Sequence, residues 1–195
     1  FAPDVMPDGY VYVGPQLGEP AWAKPWTSPF AADDARPLAL VSSSTTFQNQ
    51  AACLQRVIDA IGSLPMRAVV TLGGQFRPEE LRAPENVHVC GSAPHHAIMP
   101  EAALVVTHGG HGTVMKALMH GKPMLVVPHG RDQNDNAVRV AHRGAGLTLA
   151  ATADVAEFRG ALARLLNEER FAEAACALGA HVAHDTAHSP IVEML

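Results

Sequence analysis

Two short loops in this sequence carry residues whose types and spacing could hold a phosphate and a sugar. The first runs Thr107, His108, Gly109, Gly110, His111, Gly112, Thr113. Glycines at a strand-to-helix turn let the backbone approach a ligand without Cβ clashes. The N–H groups of the helix start then face the ligand and carry the positive end of the helix dipole. Thr113 adds a hydroxyl, and His108 adds an imidazole on the same rim. The spacing is not that of a P-loop. It is not the G-x-G-x-x-G dinucleotide fingerprint either, because Met115 stands where the third glycine belongs. Taken alone, the loop reads equally as a glycine-rich structural turn.

The second loop is Pro128, His129, Gly130, Arg131, Asp132 and Gln133, with Asn136 just beyond. Asp132 accepts hydrogen bonds and Gln133 both donates and accepts, a pair suited to hexose hydroxyls. The competing reading is a cap for the following helix, which accounts for the acid but not for the arrangement. In an open parallel sheet, ligands sit beyond the carboxyl ends of the strands. Both loops should therefore lie on one edge, a diphosphate on the first and a sugar on the second.

The elements that must position these loops follow from the apolar pattern. Residues 38–41, 67–72, 87–90, 104–107, 124–127 and 147–149 read as short buried strands. Residues 49–63, 95–101, 113–120, 134–143, 154–167 and 170–183 read as helices, the last two with an acidic residue near the start. Strands alternating with helices predict an α/β fold, a Rossmann-like doubly wound parallel sheet spanning residues 38–195. Residues 1–37 differ. Seven prolines make regular structure rare there. This stretch is expected to be an interdomain linker laid over the domain, with residues 10–13 as a short strand.

Composition narrows the function classes. With 48% hydrophobic and 17% charged residues, the 195-residue chain reads as globular. A formal net charge of −5 argues against a nucleic-acid partner. No apolar run approaches the roughly 18 residues a membrane helix needs, so no membrane association is expected. Three scattered cysteines, Cys53, Cys90 and Cys176, fit neither a disulfide framework nor a zinc-thiolate site, and suit a cytoplasmic setting. His181, His184 and His188 share a face if the last helix runs that far, but no carboxylate or cysteine joins them, and no metal site is expected. The chain begins at Phe1, which is read as a sign that it is a piece of something longer.

The run from Thr107 to Asn136, with its His-Gly-Gly turn, Gly121-Lys122-Pro123 and Pro128…Asp132-Gln133, resembles the signature of the UDP-glycosyltransferase superfamily of GT-B enzymes, in the style of bacterial natural-product and macrolide glycosyltransferases. Tyr12 to Pro15, Val41 to Thr46, Val87 to His95 and Gly144-Ala145-Gly146 extend the likeness over nearly the whole chain, as the C-terminal half of such an enzyme. The resemblance implies that His108, Gly109, Gly110, Gly112, Thr113, Ser44 and Thr45 bind the donor diphosphate. It implies that Asp132 and Gln133 bind the sugar, and that the stretch around Ser92 and Ala93 contacts the base. Two positions depart from the pattern. Ser92 replaces an aromatic base platform, and Lys116 replaces a glutamate that grips the ribose hydroxyls. UDP and dTDP both stay open as nucleotides.

The implied reaction is transfer of a hexose or deoxyhexose, with inversion, from the nucleotide sugar to a small-molecule acceptor hydroxyl, without a metal or other cofactor. No catalytic base is found in this chain. The resemblance puts it on an N-terminal acceptor-binding domain, so little transfer is expected from this chain alone. A homodimer is left open. The alternatives are a stand-alone nucleotide-binding module and a GT-B sugar-nucleotide epimerase. A serine hydrolase is disfavoured for want of G-x-S-x-G.

Overall fold

The structure, a computed structural model, describes residues 5–17, 26–44, 50–74 and 77–192. Six parallel strands form one sheet: β1 (Leu38–Ser42), β2 (Arg67–Thr71), β3 (Val87–Cys90), β4 (Ala102–Thr107), β5 (Met124–Val126) and β6 (Gly146–Thr148), in the order β3-β2-β1-β4-β5-β6. The helices are α1 (Ala51–Gly62), α2 (His95–Ile98), α3 (His111–Met119), α4 (Gln133–His142), α5 (Val155–Asn167) and α6 (Arg170–Ala187). This is the doubly wound α/β architecture expected from the alternation of apolar runs.

The central strands are buried on both sides, which is why they read as continuous apolar runs instead of alternating ones. The two-residue period still divides them between two cores. Ala39 and Val41 of β1 and Leu104 and Val106 of β4 face a layer built with Leu54, Val57, Ile58 and Ile61 of α1 and Phe158 and Leu162 of α5. Leu38, Leu40 and Val105 face the other layer, filled by Val114, Met115 and Leu118 of α3, Val140 of α4 and Val182 of α6. Phe158 is fully buried. Removing such a side chain costs about 3–5 kcal/mol. The start of α5 shows how the sequence sets a boundary. Asp154 Oδ1 accepts from the Glu157 N–H at 2.8 Å, and Glu157 Oε2 accepts from the Asp154 N–H at 2.8 Å. This reciprocal box satisfies donors that the first turn leaves unpaired.

Several elements differ from their expected form. Residues 10–13 make no strand. Tyr10 and Val11 are 71% and 57% exposed, and no ladder partner lies beside them among the described residues. Helix α3 starts at His111, two residues early, which takes Gly112 and Thr113 into its first turn. Helix α6 continues to Ala187, where the early segment packs on it: Thr186 donates to the Pro15 carbonyl at 3.4 Å, and Gln16 Nε2 to Ser189 Oγ at 3.3 Å.

Candidate functional site

Strand register brings the chemistry-bearing loops together. Ser42 pairs with Thr107, and Thr107 with Val126, so β1, β4 and β5 end level. Helix α1, which follows β1, covers one face, while α3, which follows β4, covers the other. The chain therefore parts between β1 and β4, and a crevice is left at that point, where α/β sheets bind their ligands. A small open cavity occupies it, walled by Ser42 at the end of β1 and Ser43 just beyond, Thr107 at the end of β4 and His108 just beyond, His129 after β5, and Gln50 and Cys53 at the start of α1.

The glycine turn of the first loop is required by packing. Gly109 has φ +92°, and a Cβ there would come 2.8 Å from Val126 Cγ1 and 3.1 Å from the Gln133 carbonyl oxygen. Its N–H is held by Thr107 Oγ1 at 3.2 Å. Gly110 is the residue before α3, in extended conformation, and no side chain caps the helix. The first intrahelical bond comes from the Val114 N–H to the Gly110 carbonyl at 3.1 Å. The N–H groups of His111, Gly112 and Thr113 are thus left over, as helix geometry demands. A Cβ on Gly112 would meet nothing within 4 Å. The fold does not need a glycine there.

His108 stands over this turn. Its Nε2 would lie 2.6 Å from a Cβ on Gly110, and its Nδ1 is 3.5 Å from the Ser42 carbonyl oxygen, long for a hydrogen bond. Burial pushes the ring's pKa below the usual histidine value, against the opposing pull of the Ser42 carbonyl and of Asp132. Burial also pushes His129 down, and the neighbouring His108 adds to it.

The second loop bends sharply, with φ 137° at Gly130 and 59° at Arg131, a non-glycine residue in the left-handed region. Asp132 is exposed and its side chain caps no backbone group, so the capping alternative does not describe it. Its Oδ2 instead accepts from Asn136 Nδ2 at 3.1 Å. Gln133 is the other residue expected at the sugar. It is 3% exposed, and its Oε1 turns back to accept the His129 N–H at 2.8 Å. Its amide closes the loop from behind.

Of the other expected residues, Ser44 is buried and its N–H donates to Gln50 Oε1 at 3.2 Å. Thr45 lies outside the described residues. Ser92 is exposed and Ala93 half-buried against the α3-side core, both beyond the end of β3. Asn136 was given no role by its sequence position, yet it joins the two loops: Nδ2 also donates to the Gly109 carbonyl at 2.9 Å. The i, i+4 spacing to Asp132 is a legible signal, whereas the contact across to Gly109 is not. Among the described residues no group of three or more His, Cys, Asp or Glu is arranged to hold a metal, and no helix is long and apolar enough to cross a membrane.

Solved structures of glycosyltransferases superpose on this doubly wound sheet, over rather less than half to about half of their own length. The glycosyltransferase of kitacinnamycin matches with a TM-score of 0.78 and 29% identity over 90% of this chain and 45% of its own. A spinosyn rhamnosyltransferase complexed with thymidine diphosphate matches with a TM-score of 0.69 and 27% identity, over 86% of this chain and 48% of its own. Residues 55–195 match the family described as erythromycin biosynthesis protein CIII-like, C-terminal domain, and the chain belongs to that family. Demethyllactenocin mycarosyltransferase of Streptomyces fradiae is 30% identical over 172 residues, 87% of this chain. The chain spans 37% of that relative's length.

Proposed function

We propose that this chain is the donor-binding half of an inverting glycosyltransferase that moves a hexose or deoxyhexose from a dTDP- or UDP-sugar to a hydroxyl of a small-molecule acceptor. The observation that carries this reading is the start of α3. Three backbone N–H groups and the edge of His108 converge beside a cavity at the switch point of the sheet. Such a helix start binds anions without help from a cation, so donor binding requires no metal. The thymidine diphosphate complex of the spinosyn rhamnosyltransferase favours dTDP over UDP.

In this reading the anomeric carbon gains oxocarbenium character as the diphosphate departs. The charge that builds on the diphosphate is met by the α3 start, a preorganised electrostatic contribution. Asp132, the exposed carboxylate of the second loop, orients the sugar hydroxyls. Ser92 and Ala93, beyond the end of β3, contact the base in this reading. The base that deprotonates the acceptor, and the acceptor pocket, belong to an N-terminal domain that pairs with this one. Calorimetric titration with dTDP, UDP and their glucose conjugates, in chelator, tests the reading. Saturable one-to-one binding of a nucleoside diphosphate is expected. No heat with any of the four ligands, or binding only after Mg²⁺ is restored, contradicts it.

A further inference from the structure

We propose that His129 is a second imidazole of the donor site, and that it and His108 act as a pair that takes up a proton from solvent when the donor diphosphate binds. The inference rests on the proposed function and assigns a residue that the signature leaves without a role.

The geometry comes first. His108 follows β4 and His129 follows β5, adjacent strands, and both residues wall the cavity at the switch point. The His129 backbone is held by the bond from its N–H to Gln133 Oε1 at 2.8 Å. His108 Nε2 stands above the glycine turn, and Nδ1 is 3.5 Å from the Ser42 carbonyl oxygen. The neutral ring has a single N–H to offer, whereas the protonated ring donates from both nitrogens.

Burial lowers the pKa of both rings in the free chain, and the neighbouring His108 adds to the effect at His129. The titratable groups that face them are each other, Asp132 at the start of α4, and the Cys53 thiol of α1, itself pushed up by burial. Asp132 alone cannot hold a proton on the pair. A diphosphate seated on the α3 start brings further negative charge to the same rim, and this raises the affinity of both rings for a proton. The two sites interact, so the proton belongs to the pair.

Histidine side-chain ¹H–¹⁵N spectra of the 195-residue chain, recorded from pH 5 to 8.5 with and without dTDP, test this. Without ligand, both rings are expected to titrate below the usual value. With saturating dTDP, both midpoints are expected to rise, by about one unit for the pair. That rise corresponds to roughly tenfold tighter binding of the protonated form. His129→Gln keeps the backbone bond to Gln133 and should bind dTDP several-fold more weakly at pH 6, with a flatter pH profile. If the amides of the α3 start shift on adding dTDP while the His129 midpoint stays and His129→Gln binds as wild type, His129 is only a cavity wall and the proposal is overturned. If dTDP moves no resonance, the proposed function falls and this inference with it.

Discussion

Gly112→Ala separates a glycine kept for a ligand from one kept for the fold. Gly112 sits in the first turn of α3 with no neighbour within 4 Å of the position a Cβ would take. Alanine there reduces the freedom of the unfolded chain and improves helix propensity, together worth about 0.5–1 kcal/mol. For a chain of this size that is a rise in Tm of about 1–4 °C. The same methyl group projects into the space where a diphosphate on the α3 N–H groups would stand. Displacing it sacrifices at least one charge-assisted hydrogen bond, about 1.5–3 kcal/mol, or roughly ten- to a hundredfold in affinity. Differential scanning fluorimetry with and without dTDP reads both effects. The free variant should melt at or above the wild type, and the ligand-induced rise should shrink or vanish. A variant that melts lower, or that binds dTDP as tightly as wild type, refutes the assignment of Gly112 to the ligand.

Four further outcomes are expected. His108→Ala should weaken dTDP binding by about one to two powers of ten, measured by calorimetry, while the free chain's Tm moves little because the ring's one backbone contact is long. Asp132→Ala should weaken binding of a dTDP-sugar more than that of dTDP. Equal losses in calorimetry would assign Asp132 to the loop alone. Asn136→Ala should lower Tm by about 2–12 °C, because a buried Gly109 carbonyl is left unpaired at about 1–3 kcal/mol. Stability should also depend on pH through His108 and His129. Their folded pKa values lie below the unfolded one, so the folded state binds fewer protons. The contribution is present above the unfolded value and is lost as pH falls through the folded values, so urea midpoints should decline on acidification from pH 7 toward 5. A flat profile in His108→Ala,His129→Gln, with the decline kept in wild type, confirms the source.

The fold was legible because its cause is local. Continuous apolar runs such as Val69–Val70 and Val105–Val106 can only be strands buried on both faces, and helices α1 and α5 show their apolar stripe at helical spacing. Boundaries were less legible. Helix α3 begins two residues early because Gly110 already takes the extended conformation that starts a helix, and the glycines that follow hide the apolar stripe. The first loop was readable as a motif, but its necessity was not. That Gly109 must be glycine comes from Val126 and the Gln133 carbonyl, residues 17 and 24 positions away. Gln133 shows the same dependence on the fold. Its type suits a sugar, and only the structure reveals that its Oε1 accepts the His129 N–H. The role of Asn136 and the pairing of His108 with His129 depend on contacts between loops after different strands, which no spacing encodes.

In the proposed function the start of α3 holds the donor diphosphate. Backbone ¹H–¹⁵N spectra of the chain titrated with dTDP test this most directly. The His111, Gly112 and Thr113 amides are expected to shift downfield most, as N–H groups do on binding an anion, with no metal present. Shifts centred elsewhere on the sheet edge, or none at saturating dTDP, would contradict it.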